Sequence, residues 1–224
     1  MKKIYLFLLC TSSIFITGCG TNNNINPIEP ALKSPTESIT IYAIWDSITA
    51  GYQLPIEQSW PSQLEVMLQN AWFKNYKVIN AGKSWDTSKQ VKDRLEWSIN
   101  DAKKWDIAIL TIWWNDWFQS VPVETLEQNI RDIIDVLQKK WINIIIGGMQ
   151  ISTNLWSNYT TAFAAIYPRV ASDTNSILIP FILKWVALRP ELNLPDMIHP
   201  NEAGYRIIAE TVLRRLEKNN LINK

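Results

Sequence analysis

A serine, a histidine and an aspartate have the residue types and the spacing that nucleophilic catalysis needs. Ser47 follows Asp46 at the end of the apolar run Ile39–Trp45. Asp196 lies three residues before His199, which is the only histidine of the chain. A serine hydroxyl attacks well only when a base removes its proton, and histidine has the pKa for that task. Because a carboxylate can fix the imidazole tautomer, these residues predict acyl transfer by Ser47, with His199 as base and Asp196 as its partner.

The same kinds of residue can also have purely structural roles. For His199 the alternative is an exposed residue that caps the helix-forming segment beginning at Asn201. Asp46 and Asp116 are interpreted as residues that brace their loops rather than react, because an aspartate in a turn hydrogen-bonds nearby backbone amides.

Composition leaves few other kinds of chemistry. The 224 residues include 22 Lys+Arg and 21 Asp+Glu, with no long block of one charge, so nothing predicts nucleic-acid binding. A single histidine, and no cysteine after Cys19, exclude the common zinc ligand sets. Neither a phosphate-binding loop nor a dinucleotide fingerprint follows a predicted strand. We therefore expect no metal, no cofactor and a small-molecule partner.

The elements that must position these residues alternate between strands and helices. The predicted strands are Ile39–Trp45, Tyr76–Asn80, Asp106–Ile112, Ile142–Gly148 and Ile177–Pro180. The predicted helices are Ser59–Gln69, Thr87–Ala102, Pro122–Lys140, Tyr159–Ser172 and Asn201–Lys218. Most of these strands are almost continuously apolar, as strands covered on both faces are. The alternation predicts an α/β fold, a three-layer α/β/α sandwich of flavodoxin-like type with a five-stranded parallel sheet in the order 2-1-3-4-5.

The first residues have the pattern of a targeting segment. Two lysines precede the apolar stretch Ile4–Ile16, which is short for a membrane-spanning helix. The segment Ile16–Cys19 resembles a bacterial lipobox. This resemblance implies a lipoprotein signal peptide over residues 1–18, cleavage before Cys19 and lipid attachment to Cys19; an uncleaved anchor is the alternative.

Residues 19–37 are rich in Asn, Pro and Ser, which predicts a flexible tether. A hydrolase domain of residues 38–224 would follow it. We expect this domain to be lipid-anchored in the cell envelope, on the outer side of the cytoplasmic membrane or in the periplasm.

Tryptophan occupies positions that normally favour glycine. The chain has 12 tryptophans and 7 glycines, which is under half the usual glycine frequency of about 7%. Trp72, Trp105 and Trp141 each come just after a predicted helix and just before a predicted strand. A residue with left-handed backbone is needed there, and glycine is favoured. We therefore predict a left-handed backbone at these three positions.

Our hypothesis is that the source of the chain reads UGA as glycine, so that ten tryptophans of the translated sequence stand for glycine. These positions are Trp45, Trp72, Trp85, Trp105, Trp113, Trp114, Trp117, Trp141, Trp156 and Trp185. Trp60 and Trp97 lie inside predicted amphipathic helices and are interpreted as tryptophan. The alternative is an aromatic-rich surface that binds carbohydrate or membrane, but such a surface gives no reason for tryptophans at helix ends.

With glycine at those positions, four blocks resemble the SGNH (GDSL) hydrolase family. The blocks are Trp45–Tyr52, Asn80–Ser88, Trp113–Asp116 and Asp196–Pro200. The first is similar to a Gly-Asp-Ser motif, the third to Gly-Gly-Asn-Asp and the last to Asp-x-x-His-Pro. The resemblance covers nearly all of residues 39–216.

The family resemblance implies an oxyanion hole for the transition state. Its donors would be the backbone N–H groups of Ser47 and of residue 85, together with the side-chain amide of Asn115. A backbone donor survives a change of side chain, so Trp85 keeps this role in the translated sequence. Its indole, however, would shift the loop and block the acyl site.

Two further segments, Met149–Ile151 and Ala165–Pro168, resemble the thioesterase, arylesterase and lysophospholipase branch of the family. The resemblance implies a serine esterase that hydrolyses acyl esters or thioesters through an acyl-enzyme, and we expect a monomer. Carbohydrate O-deacetylation within the same family is one alternative. A non-catalytic surface-binding lipoprotein is another, if the tryptophans are real.

Overall fold

Five apolar strands form one parallel sheet in the order β2-β1-β3-β4-β5. The computed structural model describes residues 38–111, 115–150 and 157–223. The strands are β1 Ile39–Trp45, β2 Tyr76–Gly82, β3 Ile107–Thr111, β4 Asn143–Gly147 and β5 Ile177–Ile179. The predicted strand order is confirmed, and β1, which leads to Ser47, lies between β2 and β3.

Some strand ends differ from the prediction. β2 runs two residues further, because Gly82 still pairs with Trp45 at the end of β1. β3 starts one residue later, after Asp106, whose carboxylate accepts the N–H groups of Thr40 at 2.9 Å and Lys103 at 2.8 Å. β4 is one residue shorter at each end, and β5 is one residue shorter at its end. At the start of β3, a side chain that hydrogen-bonds the backbone thus marks a strand boundary that the apolar run alone does not show.

Seven α-helices and two short 3-10 helices occur in the described part of the chain. The α-helices are α1 Ser47–Ala50, α2 Trp60–Asn70, α3 Ser88–Ser98, α4 Asn115–Phe118, α5 Val123–Lys139, α6 Ser157–Asp173 and α7 Glu202–Lys218. The five longer helices were predicted, although α3 ends four residues earlier than expected. The four-residue helices α1 and α4 were missed because a single turn is too short to show a helical hydrophobic period.

The sheet is covered on both faces. Every residue of β3 is buried, and successive side chains of a strand point to opposite faces. The helices pack in two groups, α2 with α7, and α5 with both α3 and α6. The predicted stripe of α5 is fully buried and consists of Leu126, Ile130, Ile133, Ile134 and Leu137. The predicted three-layer α/β/α architecture is confirmed.

The left-handed backbone predicted at three helix ends is present. The φ angles are 70° at Trp72, 77° at Trp105 and 60° at Trp141. These angles lie in the region that residues with a Cβ atom disfavour and glycine occupies freely. By contrast Trp60 and Trp97, which were interpreted as true tryptophans, lie inside α2 and α3.

Three more of the ten proposed glycine positions also have positive φ. The angles are 149° at Trp45, 73° at Trp85 and 77° at Trp185. Trp117 differs, because it lies within α4 and does not have positive φ. Six of the seven described positions therefore have backbone that favours glycine. The identity of these residues in the natural protein stays a prediction.

Several sequence predictions fall outside the described residues. They concern the signal peptide of residues 1–18, Cys19, the tether of residues 19–37, Ile112, Trp113, Trp114 and Trp156. No helix in residues 38–111, 115–150 or 157–223 is long and apolar enough to cross a membrane.

Candidate active site

Ser47 lies at the carboxyl end of β1, where the chain turns from the strand into α1. Asp46 makes this turn, and its carboxylate accepts the N–H of Ile48 at 3.1 Å, which caps α1. Gly51 ends α1 in left-handed backbone, with φ 83°, a conformation that glycine adopts at little cost. Ser47 is thereby held at the first turn of a helix, at the edge of the sheet where α/β proteins bind ligands.

The three residues predicted for acyl transfer are in contact. The Ser47 Oγ atom lies 3.0 Å from His199 Nε2. On the other side of the ring, His199 Nδ1 lies 2.7 Å from Asp196 Oδ2. When Nδ1 carries the proton and donates it to the carboxylate, Nε2 presents its lone pair to the serine hydroxyl. This is the arrangement a general base needs.

Asp196 and His199 come together through a local turn. The other carboxylate oxygen, Oδ1 of Asp196, accepts the N–H of Ile198 at 2.9 Å and the N–H of His199 at 3.0 Å. Burial alone would raise the pKa of Asp196, but these N–H donors and the imidazole together lower that pKa below its ordinary value. The carboxylate therefore stays ionised at neutral pH and can stabilise a protonated His199. The exposed helix cap considered for His199 is wrong, since the ring is buried against Ser47.

Asn115, the first residue of α4, lies at the same edge of the sheet as Ser47 and His199. Its Nδ2 group donates to the backbone oxygen of Asp86 at 2.9 Å, and its contact with Asp46 Oδ2 is long, at 3.5 Å. An amide nitrogen has two N–H donors. One of them is therefore used to hold the Asn115 side chain, and the second can serve a ligand.

One cleft brings the predicted site residues together. It has a volume of about 280 Å³ and is lined by Ser47, Tyr52, Trp85, Asn115, Phe118, Asp196, Ile198 and His199. All five residues predicted for the triad and the oxyanion hole are therefore at one place.

Tyr52, Phe118 and Ile198 line the cleft but were not among the predicted site residues. The Tyr52 ring lies over the His199 imidazole, with centroids 4.3 Å apart and planes tilted by 34°. Tyr52 and Ile198 lie inside the first and last sequence blocks, so their positions beside Ser47 and His199 were a usable signal. Phe118 belongs to the unpredicted helix α4, and nothing in the sequence distinguished it.

Trp85 stands at the mouth of the cleft. Its side chain is 65% exposed, and its ring meets Tyr52 edge to face at 6.3 Å between centroids. Its backbone is left-handed, with φ 73°. The indole thus stands at the entrance, on a backbone position that favours glycine. That it shifts the loop or blocks the acyl site stays a prediction.

Two buried aspartates flank the site and brace its loops, as predicted. Burial raises the pKa of Asp46 well above its usual value, despite the N–H of Ile48, and the nearby carboxylates of Asp116 and Asp86 add to the rise. Burial also raises the pKa of Asp116, against the opposing hydrogen bonds from Ser88. Neither Asp46 nor Asp116 contacts His199, so both act through the backbone that they hold.

A chain of hydrogen bonds connects Asp116 to a residue of α5. The Asp116 carboxylate accepts the N–H of Ser88 at 2.8 Å and also its hydroxyl. The Ser88 oxygen in turn accepts from Asn129 Nδ2 at 2.8 Å, and Lys92 Nζ donates to Asn129 Oδ1 at 2.8 Å. This chain of hydrogen bonds ties the first turn of α3 to the residue next to Asn115.

No group of three or more His, Cys, Asp or Glu side chains in the described part of the chain is placed to hold a metal ion. The expectation that the protein works without a metal or cofactor stays a prediction.

The fold and the cleft together define a class of protein. A serine at the carboxyl end of a parallel strand, within 3.0 Å of a histidine that an aspartate orients, is the site of a serine hydrolase. Residues 44–207 match the GDSL-like Lipase/Acylhydrolase family, and the chain belongs to this family. The resemblance seen in the four sequence blocks is confirmed.

Relatives with assigned names support the same branch. An arylesterase of Vibrio mimicus is 30% identical over 179 residues, which cover 80% of this chain and 88% of that protein. The thioesterase 1/protease 1/lysophospholipase L1 of Escherichia coli (strain K12) is 28% identical over 179 residues, which cover 80% of this chain and 83% of that protein. This agrees with the branch inferred from the sequence.

Solved structures agree with the fold. The crystal structure of TesA superposes with a TM-score of 0.74 at 26% identity, and the match covers 80% of this chain and 98% of that one. The SGNH-hydrolase family esterase AlinE4 has a TM-score of 0.66 at 32% identity, with 82% of this chain and 97% of that one covered.

Proposed function

We propose that this chain is a serine esterase that hydrolyses acyl esters or thioesters through an acyl-enzyme. The observation that carries the proposal is the continuous contact from Ser47 Oγ to His199 Nε2 at 3.0 Å and from His199 Nδ1 to Asp196 Oδ2 at 2.7 Å. These contacts give a serine, which is a weak nucleophile by itself, both a base and a partner for that base.

In the acylation step, Ser47 Oγ attacks the carbonyl carbon while its proton passes to His199 Nε2. The carbonyl oxygen becomes negatively charged, and the donors assigned to it are the N–H groups of Ser47 and residue 85 and the second N–H of Asn115 Nδ2. Ser47 is the first residue of α1, where backbone N–H groups have no partner within the helix. The ionised Asp196 stabilises the imidazolium.

The tetrahedral intermediate then collapses. The bond to the alcohol or thiol breaks, the leaving group takes the proton from His199, and the acyl group stays on Ser47. In deacylation a water molecule loses a proton to His199 Nε2 and attacks the acyl-enzyme. The carboxylic acid leaves when Ser47 Oγ recovers that proton.

The cleft favours an apolar acyl or aryl group. Besides the catalytic side chains and position 85, its described lining residues are Tyr52, Phe118 and Ile198, and none of these three carries a charge. Aromatic and aliphatic walls of this kind bind apolar groups. This lining favours esters of apolar acids over the acetylated sugars that a deacetylase would take, since sugar hydroxyls need polar partners.

The test is hydrolysis of a p-nitrophenyl ester by the chain with glycine at the ten proposed positions. Ser47→Ala should lower kcat by at least about 10³-fold, because the nucleophile is lost. Ser172→Ala, at an exposed position of α6, is the control and should keep full activity. Turnover that survives Ser47→Ala would overturn the assignment of Ser47 as nucleophile. A parent chain that hydrolyses no ester and is not labelled by a fluorophosphonate probe would favour the non-catalytic lipoprotein instead.

We also propose that the protein is anchored to the cell envelope by lipid on Cys19. The support is the lipobox-like segment Ile16–Cys19 after an apolar stretch. Expression of the full chain in a bacterium with lipoprotein processing should give a product in the detergent phase, with a lipid-modified amino terminus by mass spectrometry. Cys19→Ala should move it out of that phase; an unchanged distribution would contradict the anchor.

A further inference from the structure

We propose that Arg94 is a positioning residue of the active site, which fixes the loop carrying the oxyanion donor of residue 85 against the strand that leads to Ser47. The proposal rests on the proposed esterase function. It assigns to a side chain outside the cleft the task of holding the donors in place.

The guanidinium of Arg94 contacts four acceptors, three of which lie outside α3. Arg94 Nη2 donates to the backbone oxygen of Trp45 at 2.8 Å, and Nη1 donates to the backbone oxygen of Ala81 at 2.9 Å and to Ser98 Oγ at 2.9 Å. Arg94 Nε donates to Asp86 Oδ2 at 2.5 Å. One side chain on α3 therefore ties together the ends of β1 and β2 and the loop that follows β2.

These contacts lie next to the proposed oxyanion donors. Trp45 comes two residues before Ser47, and Asp86 directly follows residue 85. The backbone oxygen of Asp86 accepts the Asn115 side-chain N–H at 2.9 Å. Through Asp86 the Arg94 side chain thus acts on residue 85 and on Asn115 together, while its bond to residue 45 fixes the strand end beside Ser47.

The ion pair between Arg94 and Asp86 is largely buried, and its hydrogen-bond geometry requires an arginine. The Asp86 side chain is 4% exposed and the Arg94 side chain 18% exposed. Arginine presents several N–H donors in a rigid planar fork, whereas lysine has a single ammonium group. A lysine at position 94 can neutralise Asp86, but it cannot also reach both backbone oxygens with the same geometry.

Arg94 itself is not among the described residues that line the cleft, so it acts through the loop and not on the substrate. Its contacts at positions 45 and 81 are with backbone oxygens. They therefore remain possible whether residue 45 is tryptophan or glycine.

The test compares Arg94→Lys with Arg131→Lys in the glycine-containing chain. Arg131 lies on α5 and donates to the carboxylates of Glu127 and Asp173, so its replacement disturbs a similar ion-pair pattern on another element. Oxyanion donors act in the transition state. We expect Arg94→Lys to lower kcat by roughly 10- to 100-fold with KM within about threefold, and Arg131→Lys to leave both constants near the parent values.

Hydrogen exchange provides a second measurement that does not depend on turnover. The N–H of Lys83 donates to Trp45 O at 2.8 Å and the N–H of Asp86 donates to Lys83 O at 3.3 Å. These amides should exchange faster in Arg94→Lys than in the parent, and at the parent rate in Arg131→Lys. Thermal unfolding of each variant shows that the comparison is made on folded protein.

The outcomes separate this proposal from the proposed function. Unchanged kcat with unchanged exchange in Arg94→Lys would overturn the role of Arg94, as would a rise in KM alone or an equal loss of kcat in Arg131→Lys. If the parent hydrolyses no ester, the esterase proposal fails, and exchange at Lys83 and Asp86 alone decides whether Arg94 holds the loop.

Discussion

Two regions of the molecule hold tryptophan in left-handed backbone, and they differ in what that backbone does. At the amino ends of the strands, Trp72, Trp105 and Trp141 have φ between 60° and 77° where a helix turns into β2, β3 or β4. At the carboxyl ends, Trp85 has φ 73° in the loop between β2 and α3, at the mouth of the cleft. The three tryptophans at the amino ends lie in helix-to-strand connections, whereas Trp85 lies at the candidate active site.

The same change of residue therefore has different consequences in the two regions. At a helix end the Cβ atom of tryptophan costs stability, because left-handed backbone is disfavoured for any residue except glycine. Position 85 has the same backbone conformation and lines the cleft; its N–H is the proposed oxyanion donor, and the indole adds a side chain at the entrance. Glycine should therefore change stability in one region and activity in the other.

Among the changes that compare these two regions, the largest effect is expected at Asn115, which lines the cleft together with position 85. Asn115→Ala should lower kcat by about 10²- to 10³-fold with little change in KM, because one oxyanion donor is lost. Steady-state hydrolysis of a p-nitrophenyl ester measures both constants. Asn100→Ala, at an exposed position after α3, should have no effect. A rise in KM without loss of kcat would assign Asn115 to substrate binding instead.

The next effect is expected at position 85. Trp85→Gly in the translated sequence should raise kcat/KM by roughly 10- to 100-fold, because it opens the cleft and lets the loop place its N–H correctly. Trp185→Gly is the matched control, since Trp185 also has left-handed backbone, with φ 77°, and is exposed. It should leave the rate unchanged. An equal gain from both variants, or none from Trp85→Gly, would contradict the special role of position 85.

Mass spectrometry of the natural protein shows directly which residue occupies position 85. The tryptic peptide Ser84–Lys89 contains position 85 and no other tryptophan. We expect its mass to be that of the peptide with glycine. The tryptophan mass would end the recoding hypothesis, and the aromatic-rich surface would then become the better explanation.

The buried carboxyl of Asp46, next to the carboxyl end of β1, should make the stability of the folded chain depend on pH. Burial raises the pKa of Asp46 in the folded chain well above its usual value, whereas an aspartate in the unfolded chain titrates near pH 3.9. The folded state therefore binds more protons, and this group makes stability fall as pH rises from the unfolded pKa to the folded one. Asp46→Asn should flatten that part of the curve in urea unfolding. An unchanged slope would show that Asp46 does not titrate in this range.

The sequence was sufficient to predict the fold and the residues that meet in the cleft, for physical reasons. Apolar runs that alternate with helical stripes identified all five strands and the five longer helices. Asp196 and His199 were found because the turn that joins them is local. Arg94 was missed as a site residue, because its contact with the end of β1 forms only when distant segments fold together. A lone arginine in an amphipathic helix looks like a surface charge. Tyr52 was missed although its place in the first sequence block was a usable signal.

The smallest effect is expected at the helix ends, where glycine should stabilise the chain without changing its activity. Left-handed backbone costs a residue other than glycine about 1–2 kcal/mol. Part of this is offset at Trp72, because Lys74 Nζ lies 5.0 Å from the ring centroid and an exposed contact of this kind is worth about 0.5–1 kcal/mol. Trp72→Gly should therefore raise the free energy of unfolding by up to about 1.5 kcal/mol, measured in urea.

Trp97 supplies the matched control, because it is also exposed but lies inside α3. Glycine in a helix interior is unfavourable by up to about 1 kcal/mol, so Trp97→Gly should destabilise the chain. Opposite signs for these two tryptophan-to-glycine changes, with equal ester hydrolysis in both, would show that the backbone selects glycine at the helix end. Equal signs would instead mean that the tryptophan side chains, and not the backbone at their positions, determine stability in this region.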